Sequence, residues 1–143
     1  LRIHSAHPYS NVLPYIPQRA TIIMIDTLVS VNEKITETSF TVQEGALFVS
    51  NHKMQEPGLI ENIAQTAAAG VGYTCALNNE PVPVGFIGAI KNLTIDYLPS
   101  VGEKIETRVE VLEEIFDMSL IKGESFVNGK PVLSCEMKIV LKK

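Results

Sequence analysis

The chain has 143 residues, a formal net charge of -4, and contains 45% hydrophobic and 20% charged residues. This composition is that of an ordinary globular domain and excludes a disordered chain, and the length predicts a single domain with its own core. No apolar run approaches the roughly 20 residues of a membrane span, so we expect no membrane association. The 12 basic residues are scattered among 16 acidic ones, so we expect no nucleic-acid partner either.

Residues 12–19 contain two prolines and predict a turn or a short helical cap. Residues 21–31 and 34–42 are rich in β-branched side chains and predict two strands, followed by an irregular loop over residues 43–56. A helix follows, and the remainder of the chain alternates in the manner of antiparallel strands. The Asn-Gly pair at 128 and 129 predicts a hairpin turn between the last two of these strands. The four predicted strands cover residues 84–98, 103–114, 116–127 and 132–141.

The helical signal over residues 57–77 is the strongest in the chain. Pro57 suits a first helical position, apolar residues then recur at helical spacing from Leu59, and two prolines beyond Asn79 prevent continuation. Two strands, one long apolar helix and four strands predict an α+β fold in which one antiparallel sheet is wrapped around one central helix. The many small residues of the helix, Gly70 and Gly72 among them, predict a close approach to the sheet.

The first 12 residues, which include His4 and His7, are assigned to an amino-terminal tail, and residues 13–143 to the domain. Residues 1–10 lack the apolar segment of a signal peptide, so we expect no leader within them.

Cys75 and Cys135 are the two cysteines, and neither lies at metal-ligand spacing from another cysteine or a histidine. We therefore expect buried thiols, no metal site, and a reducing, cytoplasmic location. The glycines match no phosphate-binding loop, and we expect no cofactor.

Glu61 is the only charged side chain between Pro57 and Asn79, and Gln65 lies one turn further on the same helical face. A carboxylate near a helix start is either a solvated group favoured by the helix dipole or a general acid or base beside a pocket. Burial of an unpaired carboxylate is costly, so a buried Glu61 would need a partner, a water-filled cavity or a raised pKa. Composition does not decide between the two interpretations, but the pattern of the neighbouring residues favours the second.

Residues 56–69, Glu-Pro-Gly-Leu-Ile-Glu-Asn-Ile-Ala-Gln-Thr-Ala-Ala-Ala, resemble the central helix of hotdog-fold 3-hydroxyacyl-acyl-carrier-protein dehydratases. The family motif Pro-Gly…Glu-x-x-Ala-Gln carries a catalytic Glu or Asp, which Glu61 matches. Residues 16–26, Ile-Pro-Gln-Arg-Ala-Thr-Ile-Ile-Met-Ile-Asp, are similar to the family's amino-terminal segment. Residues 95–103, Ile-Asp-Tyr-Leu-Pro-Ser-Val-Gly-Glu, are similar to its turn before a strand. The resemblance implies a hotdog fold over residues 13–141.

The catalytic histidine of the family has a weaker counterpart. His52, in Val-Ser-Asn-His-Lys-Met at 49–54, lies nine residues before Glu61, closer than the family's gap, and lacks the surrounding glycines. His52 is therefore either the catalytic histidine or an ordinary loop residue.

The resemblance implies dehydration of a 3-hydroxyacyl thioester to the trans-2-enoyl thioester, in fatty-acid or polyene-type biosynthesis. His52 would remove the C2 proton, and Glu61 would protonate the departing hydroxyl. The backbone N–H of Gly58 would donate a hydrogen bond to the thioester oxygen, because N–H groups at a helix start are fixed dipoles. Gln65 would contact the substrate.

The implied partners are an acyl carrier protein or acyl-CoA thioester and a second subunit, in a homodimer or dimer-based higher oligomer joined through the strand at 84–97. Because a fold does not fix a function, two alternatives stay open: a thioesterase that uses the helix carboxylate, and a non-catalytic acyl-binding or accessory subunit.

Overall fold

A computed structural model describes residues 12–16 and 23–142 of the chain. The elements form in the predicted order, with a single α-helix, α1, between an amino-terminal pair of strands and a carboxy-terminal run of four. The bounds are a 3-10 helix at Leu13–Tyr15, β1 Thr27–Val31, β2 Ile35–Thr41, β3 Val49–Ser50, β4 Lys53–Met54, α1 Glu56–Leu77, β5 Val84–Ile95, β6 Lys104–Ile115, β7 Met118–Val127 and β8 Lys130–Lys142.

Six of the strands form one antiparallel sheet in the order β1-β2-β6-β7-β8-β5. The predicted hairpin between β7 and β8 is confirmed: Asn128 and Gly129 have φ values of 51° and 78°, the left-handed geometry that an Asn-Gly turn supplies. Strand β5 returns from the helix and lies at the sheet edge beside β8, so its outer edge has no neighbouring strand among the described residues. The α+β prediction of one sheet on one helix is therefore confirmed.

The segment predicted as a loop over residues 43–56 contains a small hairpin instead. Strands β3 and β4 pair over two residues each, with Asn51 and His52 at the turn. Strands this short carry too little alternation to be recognised in a sequence.

The core lies between α1 and the face of the sheet that packs on it, where Leu59, Ile63 and Met137 are fully buried. The predicted close approach of the helix to the sheet is confirmed at Gly70, whereas Gly72 approaches the 3-10 helix instead. A Cβ at Gly70 would collide with the Thr36 side chain, and one at Gly72 would collide with the backbone carbonyl of Tyr15. Glycine is thus required where α1 crosses β2 and the 3-10 helix.

The assignment of residues 1–12 to a tail, with His4 and His7, lies outside the described residues except for Val12, which is buried in a second apolar cluster beside α1. Within residues 12–16 and 23–142, no helix is long and apolar enough to cross a membrane.

Candidate functional site

A cavity of about 490 Å³ runs along one side of α1, between the helix and the sheet. This volume is in the range of small-molecule binding sites. Its helix wall is made largely of small side chains, and its sheet wall is mainly aliphatic. The helix contributes Glu61, Ala64, Ala67, Ala68, Gly70, Val71, Thr74 and Cys75, and the sheet contributes Val109, Val111, Ser119, Ile121, Ile139 and Leu141.

Glu61 is the one acidic side chain that α1 presents to this cavity. It is partly buried, and its Oε1 accepts a hydrogen bond from Nε2 of Gln65 at 3.2 Å. From Glu61 the cavity extends along the helix to Cys75, a rise of about 21 Å at 1.5 Å per residue. The geometry is that of a carboxylate at one end of a long, mainly apolar cavity, whose lining also includes Glu33, Lys34 and Glu114.

Gln65 is fully buried and is held from its other side by the backbone. Its Oε1 accepts a hydrogen bond from the Met24 N–H at 2.7 Å. Because the amide oxygen must face this donor, the amide nitrogen must face Glu61. The position of the Glu61 carboxylate is thus tied to the segment that precedes β1.

Asn62, the residue after Glu61 in α1, also bonds to the segment that precedes β1. Its Nδ2 donates to the carbonyl oxygen of Met24 at 2.6 Å, and its Oδ1 accepts from the Thr107 hydroxyl at 2.5 Å. A fully buried amide with both ends bonded to separate elements holds α1 against β6 and against residue 24. We read no role for Asn62 from the sequence, because an Asn within an apolar helix gives no indication of its partners.

Gly58 lies in the first turn of α1 and is buried. A Cβ at this position would collide with Met54 and Phe48, so packing requires glycine here. Its backbone N–H donates to the carbonyl oxygen of Gln55 at 3.0 Å. The donor that the sequence suggests for a thioester oxygen is therefore already engaged, and a bound oxygen would have to share it.

His52 lies at the turn of the β3–β4 hairpin, away from the cavity of its own chain. Its side chain is 81% exposed, and its Nδ1 lies 2.6 Å from Oε2 of Glu44. The φ value of His52 is 62°, at a turn position that favours glycine. The structure thus brings Glu61 and Gln65 together but does not bring His52 to them within one chain.

Several cavity residues were not recognised from the sequence. Ala64, Ala68, Val71 and Cys75 recur at helical spacing from Glu61, a signal that was present but was interpreted as close packing on the sheet. The prediction of a buried thiol is confirmed for Cys135, whereas Cys75 is only half-buried at the cavity wall. No group of three metal-ligating side chains occurs among the described residues.

The model of the ApeP-like family, described as ApeP dehydratase, matches residues 10–141 of this chain. No curated protein matches the sequence.

Among solved structures, a chain of the dehydratase heterocomplex ApeI:P from Xenorhabdus doucetiae is similar, with a TM-score of 0.87 and 16% identity over 94% of this chain and 93% of that chain. A hypothetical thioesterase of Streptococcus pneumoniae TIGR4, solved with coenzyme A, has a TM-score of 0.63 and 8% identity, over 80% of this chain and 84% of that chain. The E. coli PaaI protein from the phenylacetic acid degradation operon has a TM-score of 0.59 and 14% identity, over 79% and 80% of the two chains.

These likenesses agree with the hotdog fold that the sequence predicts, and at such low identities they bear on the fold alone. The family match covers nearly the whole chain, including the helix that carries Glu61. The chain therefore belongs to the ApeP-like dehydratase family.

Proposed function

We propose that this protein dehydrates a 3-hydroxyacyl thioester, carried by an acyl carrier protein, to the trans-2-enoyl thioester in fatty-acid or polyene-type biosynthesis. The observation that carries the proposal is the half-buried carboxylate of Glu61 beside an apolar cavity long enough for an acyl chain. The family match supports the reaction class. The absence of disulfides among the described cysteines supports a cytoplasmic location.

Dehydration removes a proton from C2 and expels the C3 hydroxyl as water. In this proposal Glu61 gives a proton to the leaving hydroxyl from its second oxygen, because the first accepts from Gln65. Gln65, which the sequence suggested as a substrate contact, is fully buried and does not line the cavity, so its effect on the substrate passes through Glu61. Gly58 is buried, bonds its N–H to Gln55 and does not line the cavity, so in this proposal it does not supply the donor to the thioester oxygen.

His52 takes the role of the base that removes the C2 proton. Because His52 is highly exposed and is not part of its own chain's cavity, the base and the acid of one site come from two different subunits.

The edge strand β5 supports such an assembly. It is 12 residues long, has no strand on its outer side among the described residues, and exposes Val84, Phe86 and Leu93. Long apolar edge strands are normally covered. We propose that β5 pairs with β5 of a second subunit, either another copy or a related chain, in a two-fold dimer that continues the sheet.

The exposed position of His52 also favours a second candidate. A thioesterase needs only the carboxylate of Glu61 to activate water, and the hotdog structures that resemble this chain include a hypothetical thioesterase. A third candidate is an accessory subunit that binds acyl chains within a heterocomplex. The similar ApeI:P structure is a dehydratase heterocomplex, which is consistent with an assembly of two different chains.

The test incubates the purified full chain with a 3-hydroxyacyl carrier-protein thioester and follows the mass of the carrier. Loss of one water with the thioester intact supports the proposal. Released free acid would establish the thioesterase, and an unchanged carrier would favour the accessory subunit. Glu61→Gln should reduce dehydration by about 100-fold or more, as for loss of a general acid. The matched control is Glu80→Gln, at an exposed position beyond α1.

A further inference from the structure

The β3–β4 hairpin that carries His52 is held in place by hydrogen bonds to the chain beside it. His52 and Asn51 form its two-residue turn, and both have positive φ values, as a type I′ turn requires. The carbonyl oxygen of His52 accepts a hydrogen bond from the Val101 N–H at 2.8 Å, and the Met54 N–H donates to the carbonyl oxygen of Pro99 at 2.8 Å. The backbone at His52 is therefore fixed, and only the side-chain torsions are left to orient its imidazole ring.

Glu44 lies on a second tight turn, which brings its carboxylate to that ring. The turn covers residues 43–46 and is closed by a backbone hydrogen bond of 3.4 Å between its first and last residues. Gly45 has a φ value of 90°, the left-handed geometry that a type II turn needs at its third residue. From this turn, Oε2 of Glu44 comes within 2.6 Å of Nδ1 of His52.

The contact between Glu44 and His52 decides which ring nitrogen carries the proton. An ionised carboxylate can only accept a hydrogen bond, so a neutral His52 that bonds to Glu44 must have its proton on Nδ1. Its Nε2 then has a free lone pair on the far side of the ring, and a base that removes a proton from carbon needs such a lone pair. In the other tautomer the lone pair is on Nδ1, where it faces Glu44 and is turned away from any substrate.

We propose that Glu44 is a positioning residue for His52, an inference that rests on the proposed function. Glu44 holds the ring in the Nδ1–H tautomer, and Nε2 takes the C2 proton of a substrate bound in the cavity of the second subunit. The electron pair of the C2–H bond forms the C2=C3 double bond as the C3–O bond breaks, and the hydroxyl leaves as water with the proton of Glu61. His52 is then an imidazolium with Glu44 as its counter-ion, as in other carboxylate–histidine pairs. Solvent returns a proton from His52 to Glu61 before the next turnover.

The positioning role of Glu44 can be separated from a role in folding. The side chains of His52 and Glu44 are 81% and 61% exposed, and pairs this exposed contribute little to stability. Glu44→Ala should therefore unfold in denaturant at the same concentration as the wild type. Any loss of activity in this variant then reports the ring of His52 and not the fold.

The first measurement is the tautomer of His52 in the full chain, by nitrogen-15 NMR of the imidazole rings at about pH 8, where an ordinary imidazole is neutral. The chain has three histidines, and the signals lost in His52→Ala identify those of His52. The ring proton should be mainly on Nδ1 in the wild type and mainly on Nε2, as is usual in water, in Glu44→Ala. The matched control is Glu106→Ala, which removes an exposed carboxylate of β6 and should leave the tautomer unchanged. A wild-type ring protonated mainly on Nε2, or no change in Glu44→Ala, would overturn the proposal.

The second measurement is the dehydration of a 3-hydroxyacyl carrier-protein thioester. Glu44→Ala should lower kcat by about 10–100-fold with little change in KM, because Glu44 acts through His52 and does not touch the substrate. Glu44→Gln keeps an acceptor for the Nδ1 proton and should recover part of this loss. An active wild type whose Glu44→Ala variant keeps its full kcat would overturn the positioning role. A wild type without dehydratase activity would overturn the proposed function and with it this role, whereas the NMR result would still decide the orientation of the ring.

Discussion

Gln65 donates a hydrogen bond to the carboxylate of Glu61 and cannot turn away from it, because its amide oxygen is held by the Met24 N–H. The Nε2 to Oε1 distance is 3.2 Å. A buried glutamine that bridges a backbone donor and a half-buried carboxylate orients that carboxylate. We therefore expect Gln65 to act as a positioning residue for Glu61 and not as a contact of the substrate, because it is fully buried and does not line the cavity.

Two substitutions of Gln65 separate its positioning role from its role in stability. Gln65→Met leaves the buried Met24 N–H without its acceptor, which should lower the unfolding free energy by about 1–3 kcal/mol. Gln65→Glu keeps an acceptor for Met24 but removes the donor to Glu61, so kcat should fall by about tenfold or more while stability falls less. Steady-state kinetics and denaturant unfolding of both variants check this. An unchanged kcat for Gln65→Glu would contradict the positioning role.

A shared site between subunits predicts complementation of two inactive variants. His52→Ala and Glu61→Gln should each be inactive alone, but their dimers contain one site with both groups. After random exchange between equal amounts, about a quarter of the wild-type activity should return, since half of the dimers are mixed and each has one complete site. Mixing without subunit exchange is the control. No recovery after verified exchange would place the two groups in one chain or exclude His52.

Cys75 reports on occupancy of the cavity because it lies at the wall far from Glu61. Burial raises the pKa of the Cys135 thiol to about 11, so this thiol stays protonated and unreactive near neutral pH. Iodoacetamide should therefore modify the native chain at Cys75, and a saturating acyl thioester should slow the reaction. Peptide mass mapping identifies the modified residue, with Cys75→Ser as the control. An unchanged modification rate with bound acyl thioester would argue against an acyl chain along α1.

Replacement of Gly72 by alanine should change stability in the direction opposite to that expected from helix propensity. Alanine within a helix is usually favoured over glycine by about 1 kcal/mol. Here the added Cβ would collide with the carbonyl group of Tyr15, which is backbone and cannot rotate away. Gly72→Ala should therefore lower the unfolding free energy by about 1–3 kcal/mol. Chemical denaturation measures the change. The control is Ala76→Gly, on the exposed side of α1, whose loss of unfolding free energy reports helix propensity alone. A more stable Gly72→Ala protein would contradict the close contact.

The Asp26 carboxyl makes the free energy of unfolding depend on pH. Burial raises the pKa of its carboxyl above 3.8, and a hydrogen bond from the Thr41 N–H at 2.7 Å opposes part of that rise. The folded chain therefore holds this proton more tightly than the unfolded chain, so the Asp26 contribution to stability falls as pH rises from 3.8 through the raised pKa. The stability difference between Asp26→Asn and the wild type should therefore favour the variant more near pH 7 than near about pH 3. Denaturant unfolding at both pH values measures the two differences, and equal differences would contradict the raised pKa.

The order and type of the main elements followed from local chemistry. Proline at the start of α1, apolar spacing along it and the Asn-Gly pair at 128 and 129 act over a few residues, so the sequence is sufficient to predict them. The close approach to the sheet at Gly70 was also predicted, because glycine in a helix interior needs a compensating contact, but the 3-10 helix as the partner of Gly72 was not. Glu61 was recognisable because a single charge in an apolar helix requires an explanation.

Only the tertiary structure shows which elements pack against each face of α1. Periodicity shows which side of α1 is apolar, but small residues suit either a close contact or a cavity wall. Only the neighbouring elements distinguish Gly72, which lies against the backbone of Tyr15, from Ala64, which lines the cavity. The partner of Gln65 is 41 residues away at Met24, a contact that no local pattern records. The distance of His52 from Glu61 depends likewise on the hairpin that holds it. Long-range contacts are set by how elements pack together, and packing is a property of the whole chain.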